Sequence, residues 1–95
     1  MKITSLTIID EPPHNWAEGD TLLATFDYQD AGYLFKDALL IRGGRSGQLI
    51  AQPPKGETRK GRRAVMIEDA ELREELAAAA YAVFAAMGGV EEEAA

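Results

Sequence analysis

Only one stretch of this chain is patterned as an amphipathic helix, and one helix cannot enclose a core by itself. Residues 69–87, "DAELREELAAAAYAVFAAM", open on Asp69, a good N-cap, with Glu71, Glu74 and Glu75 toward the positive end of the helix dipole. Leu72, Leu76, Ala80, Val83 and Met87 follow the 3.6-residue period, Phe84 widens that stripe, and Tyr81 falls toward the far side. Gly88-Gly89 stops the helix. The apolar stripe needs a partner surface, and the rest of the chain has to supply it as a sheet.

The sheet is legible in pieces. "KITSLTII" is rich in Ile and Thr and fits an edge or half-buried strand, followed by an acidic, proline-containing loop, "DEPPHNWAEGD". "TLLATFDY" places Leu22, Ala24, Phe26 and Tyr28 on one face; "QDAG" is a turn, and "YLFKDALLI" returns as the second arm of a hairpin. "QLIAQ" is a short strand that stops at Pro53-Pro54, and "RAVMI" is expected to be the last strand. The expectation is an α+β fold: a five-stranded, mainly antiparallel sheet with one C-terminal helix. It forms one domain over residues 1–88, with a flexible acidic tail over 89–95.

Strict alternation along "YLFKDALLI" puts Tyr33, Phe35, Leu39 and Ile41 on one face and Leu34, Ala38 and Leu40 on the other. A single helix covers one face of a sheet only. The second set, Leu34, Ala38 and Leu40, is therefore expected to be buried in a homodimer interface.

Charge is distributed unevenly. The formal net charge is −6, yet residues 42–63 hold seven basic residues against Glu57, while the remainder holds three basic and fifteen acidic. Lys55, Arg59, Lys60, Arg62 and Arg63 lie in one loop, "PPKGETRKGRR", with Arg42 and Arg45 as flanking cations. Lys and Arg at this density can neutralise phosphates and release counterions. Charge runs are usually solvated surface, and composition alone favours that plainer reading. The loop has no aromatic residue to stack on bases, so any nucleic-acid contact would be to the backbone.

Catalysis is not expected. His14 is the one histidine, there is no cysteine, and "RGGRSG" lacks the spacing of a phosphate-binding loop. Asp27, Asp30 and Asp37 read as turn and strand-surface carboxylates. No metal or cofactor is implied. The N-terminal apolar run is short and broken, which fits a cytoplasmic protein without a membrane segment.

Taken together, "MKITSLTII", "ATFDYQDAGYLFKDALLIRGGRSGQLIAQPPK" and the helix opening "DAELREELAAAAY" resemble the SpoVG family, the stage V sporulation protein G or septation-regulator family of bacteria. The similarity runs over about residues 1–84. Its most specific parts are Phe26-Asp27, Lys36-Asp37, Gly47 before "QLIAQ", and Pro53 with Lys55. The resemblance implies a small dimeric α+β regulator that binds DNA or RNA through the basic segment and the region near the helix. The sequence departs from the pattern in its longer 10–20 loop carrying Trp16, in Lys36 where a histidine is usual, and in "VMIED" before the helix. The competing expectation is a protein-interaction adaptor or structural dimeric module that binds no nucleic acid.

Overall fold

The structure, a computed structural model, describes residues 1–9, 19–44, 46–53 and 66–91. It is α+β: an antiparallel sheet in the order β1-β2-β3-β4, and one helix. The strands are β1 (Lys2–Ile8), β2 (Thr21–Asp30), β3 (Tyr33–Arg42) and β4 (Leu49–Gln52), and the helix is α1 (Ala70–Ala86). Met66 and Ile67 are not in a strand, and residues 63–65 of the expected fifth strand lie outside the described residues. β4 pairs only with Leu39–Arg42 of β3, so among the described residues no strand pairs with Tyr33–Ala38 on that side.

The β2–β3 hairpin turns in two residues. Ala31 and Gly32 both have positive φ, 50° and 83°, between the paired residues Asp30 and Tyr33. Two left-handed residues give a turn whose twist matches that of the strands; Gly32 adopts it freely and Ala31 does not.

Strict alternation fails further along β3. Phe26 pairs with Ala38 and Tyr28 with Phe35, so Lys36 and Asp37 together oppose Asp27. This is a β-bulge, with Asp37 at φ 62° and its N–H donating to Asp27 Oδ1 at 3.0 Å. The extra residue returns Phe35, Ala38 and Leu40 to one face and leaves Leu39 and Ile41 on the other. Leu23 is a second extra residue, on β2, because Leu22 pairs with Ile41 and Ala24 with Leu40.

The core lies between the bulged sheet and α1. Leu6, Leu23, Ala24, Phe26, Tyr28, Ala38, Leu40 and Ala51 meet Leu76, Ala77, Ala80 and Phe84. The buried stripe of α1 is rotated toward Ala77 relative to the periodic expectation. Two alanines facing the sheet let the helix approach closely, and Tyr81, one turn beyond Ala77, packs against the cluster instead of facing away. Met87, just past the helix end, is exposed. Asp69 caps α1 as its side chain accepts from the N–H groups of Glu71 (2.9 Å) and Leu72 (3.3 Å). Gly88 and Gly89 N–H groups close the other end on the carbonyls of Ala85 and Phe84.

Candidate nucleic-acid interface and its surroundings

The structure resolves the expected site residues into three groups. Arg45, Lys55, Arg59, Lys60, Arg62 and Arg63 lie outside the described residues. Arg42 lies inside them, and its guanidinium is already engaged. Leu34, Ala38 and Leu40 divide: Leu34 is 49% exposed, while Ala38 and Leu40 are fully buried in the core under α1. The assignment of Ala38 and Leu40 to a dimer interface is thus corrected. The bulge at Lys36-Asp37 inverts the alternation from which it was drawn.

What can be described of the basic segment is where it joins the fold. The chain leaves β4 after Gln52, which pairs with Leu39, and passes through buried Pro53. It rejoins at Met66 and Ile67, which line a cleft of about 250 Å³ with Tyr28, Phe35 and Leu72, and reaches the cap of α1 at Asp69. Both attachment points therefore flank the part of β3 that β4 leaves uncovered. The rings of Tyr28 and Phe35 stack at 4.8 Å in that cleft. A second cleft of about 370 Å³ adjoins it at the hairpin tip, between Met1, Asp30, Tyr33 and Leu34. Tyr33 (69%), Leu34 (49%), Met66 (73%) and Met1 (46%) leave large apolar side chains in solvent at this end of the sheet.

The other end of β3 carries a polar assembly that sequence reasoning missed. Arg42 Nε and Nη2 donate to the two carboxylate oxygens of Glu91 at 2.8 and 3.0 Å, and Nη1 donates to the Gly47 carbonyl at 2.8 Å. The Tyr81 hydroxyl donates to Glu91 Oε2 at 2.7 Å, and Arg42 Cζ stands 5.5 Å from the centroid of the Tyr81 ring. The Arg42 hydrogen bonds hold the Glu91 carboxyl below the usual carboxylate range, with burial opposing and Tyr81 assisting. Glu91 in turn pushes the Tyr81 hydroxyl up, chiefly through their hydrogen bond. A bidentate Arg–carboxylate pair of this kind fixes orientation as well as charge. Glu91 was expected in a flexible tail; it is clipped to the sheet, and only residues 92–95 of that tail lie outside the described structure. One Glu among the three of "VEEE" gives no sequence signal for this pairing, since the two partners are 49 residues apart.

Asp27 and Asp37, two residues of the quoted motifs, build the bulge. The Asp37 N–H, and after it the Ser5 hydroxyl, hold the Asp27 carboxyl below its ordinary range. Its role is to receive backbone and hydroxyl donors, a structural task. Among the described residues no three His, Cys, Asp or Glu side chains are placed to hold a metal ion together. Among them too, no helix is long and apolar enough to cross a membrane. No family model, curated protein or solved structure matches the chain.

Proposed function

We propose that this protein is a cytoplasmic, SpoVG-like nucleic-acid-binding regulator that holds phosphates through Lys55, Arg59, Lys60, Arg62 and Arg63. The observation that carries the reading is the segregation of charge. With Arg42 neutralised by Glu91, residues 43–63 still hold six basic residues against Glu57. The acidic remainder repels a polyanion everywhere else, which orients it on one edge of the protein. Contacts of this type position a backbone and read little sequence.

The protein acts as a homodimer in this reading, and a two-fold pair doubles the basic footprint. Leu34, with Tyr33 and Met66 beside it, replaces Ala38 and Leu40 as the apolar surface that pairs. Among the described residues no strand pairs with Tyr33–Ala38 of β3 on the side of β4, and in this reading that edge takes part in the pairing of the two protomers.

The test is a fluorescence-anisotropy titration of mixed-sequence duplex DNA, single-stranded DNA and RNA at several salt concentrations. Neutralising about three to five phosphates per protomer gives a log–log salt slope of about −3 to −4. Changing Arg59, Lys60, Arg62 and Arg63 together to Gln makes the slope shallower and weakens binding evenly across sequences. Equal binding by parent and quadruple variant at every salt concentration overturns the reading.

A second reading, a protein-interaction adaptor, is favoured by the exposed Tyr33, Leu34, Met66 and Met1 around the two clefts. Absence of salt-sensitive oligonucleotide binding, together with a stoichiometric protein partner that Tyr33→Ser releases, would support it.

A further inference from the structure

The Arg42 assembly has the composition of an anion-binding site with its ligand already in place. A guanidinium presents two parallel donors, and a phenol presents a third to the same carboxylate. The carboxylate belongs to Glu91, which stands outside helix and strand, just beyond the helix stop. It is also not deeply enclosed: the Arg42 and Glu91 side chains keep 31% and 27% of their surface in solvent. An incoming anion can therefore reach the pair.

We propose that Arg42 and Tyr81 form an anion-binding site that Glu91 fills in cis, and that a phosphate group takes the place of the Glu91 carboxylate. The inference deepens the nucleic-acid reading, on which its biological use rests, by adding a gated contact to the basic edge. Arg42 pairs with Leu49, the first residue of β4, and the basic segment follows the last residue, Gln52. Three residue steps at about 3.3 Å put these points roughly 10 Å apart, within the span of one oligonucleotide. Arg45 lies in the same 43–48 connection. Phosphate suits the vacated donors because its oxygens accept from the guanidinium fork in the same bidentate manner as a carboxylate.

The cis carboxylate acts as a competitor, and the protein's apparent affinity is reduced by the fraction of molecules with the clip open. Glu91→Ala opens it by removing the carboxylate, and Tyr81→Phe in that background removes one of the three donors left for an incoming anion while leaving Arg42 intact. Glu71→Gln removes an exposed acid at the other end of α1 and controls for loss of charge alone.

The experiment that decides follows the Arg42 side-chain Nε–Hε resonance by NMR during titration with inorganic pyrophosphate, and oligonucleotide anisotropy on the same proteins. In Glu91→Ala the Arg42 resonance shifts at about five-fold lower pyrophosphate than in the parent, part of that gain is lost when Tyr81→Phe is added, and Glu71→Gln stays at the parent value. Oligonucleotide affinity rises by a similar factor in Glu91→Ala, and that gain disappears when Arg42→Gln is added. If the Arg42 resonance in Glu91→Ala ignores pyrophosphate, or responds as it does in the parent, the pair is a structural clip and the proposal falls. A pyrophosphate response in Glu91→Ala without oligonucleotide binding by any variant keeps the anion site and rejects the nucleic-acid reading.

Discussion

The two ends of β3 are finished in opposite ways. At the Arg42 end, polar groups find partners within the chain. Arg42 has Glu91, Gly47 and the Tyr81 ring; the Gly44 N–H donates to Asp20 Oδ1 at 2.9 Å; and a Cβ at Gly44 would run into the Gly19 carbonyl. At the Tyr33 end, apolar side chains project into solvent around two clefts, and the strand edge has no described partner strand. One strand thus has a closed end that changes only by breaking internal contacts and an open end whose apolar side chains make few of them. The difference separates residues whose loss costs the fold from residues that the proposed association would use.

The largest effect that sharpens this contrast lies in the core between the ends. Leu40 and Leu76 are both fully buried, one from the sheet and one from α1. Leu76→Ala or Leu40→Ala should cost about 2–5 kcal/mol in urea unfolding. Leu34→Ala, six residues from Leu40 at the open end, should stay within about 0.5 kcal/mol in the monomer. A Leu34 cost as large as that of Leu40 would mean that the open end is part of the fold.

Next in size is the association itself. Tyr33→Glu combined with Leu34→Glu places two charges on the exposed apolar surface while leaving the core untouched. Light scattering on the parent at micromolar concentration should give the mass of a dimer, and the double variant that of a monomer with unchanged circular dichroism. A parent that runs as a monomer removes the open end as a self-association surface.

The closed end answers to pH. Glu91 has a folded value below its unfolded one, so its contribution is present above the ordinary glutamate range and is lost as pH falls through the folded value. Glu91→Gln should cost about 1 kcal/mol at pH 7, as an ion pair with partial solvent screening does. The parent and variant curves should begin to converge as pH falls below the ordinary glutamate value of about 4.3 and meet below the folded value of Glu91. Asp27 is depressed as well and titrates in the same acid range in both proteins, so the difference between the curves, not the acid limb itself, reports on Glu91. Curves that stay parallel down to pH 3 would show that the ion pair carries no stability.

How much of this was legible follows from the range of each interaction. The helix, its Asp69 cap, the hairpin and the stop at Pro53 come from neighbours within a few residues, and these are visible as patterns. The bulge at Lys36-Asp37 is not: a period of two says nothing about where one residue is inserted, and one insertion moved Ala38 and Leu40 from an imagined interface to the core. "Phe26-Asp27" and "Lys36-Asp37" stand out as motifs, but their meaning, a carboxylate receiving the bulge N–H, needs the pairing register. In the sequence Arg42 stands as a flanking cation of the basic segment and Glu91 as one of three consecutive tail acids, and nothing local links two residues 49 positions apart. Segregated charge survives any such error, since it depends on position along the chain and not on facing.

The smallest expected effect tests whether the open end is held by its turn alone. Ala31 occupies the first central position of the two-residue hairpin with φ 50°, where an L-residue with a Cβ pays for crowding against its own carbonyl. Asn tolerates this region and is favoured beside Gly in such turns. Ala31 is exposed, so a larger polar side chain displaces nothing. Ala31→Asn should therefore stabilise the protein by about 0.5–1 kcal/mol, while Ala31→Gly should gain less, because glycine also adds freedom to the unfolded chain. Ala31→Val should destabilise, since branching at Cβ worsens the same contact. Urea unfolding of the three variants ranks them, and the predicted order is Asn, Gly, parent, Val. Because the turn is remote from Arg42, Glu91→Gln should add its own cost independently in the Ala31→Asn background. A departure of more than about 0.5 kcal/mol from additivity would mean that the two ends of β3 are coupled after all.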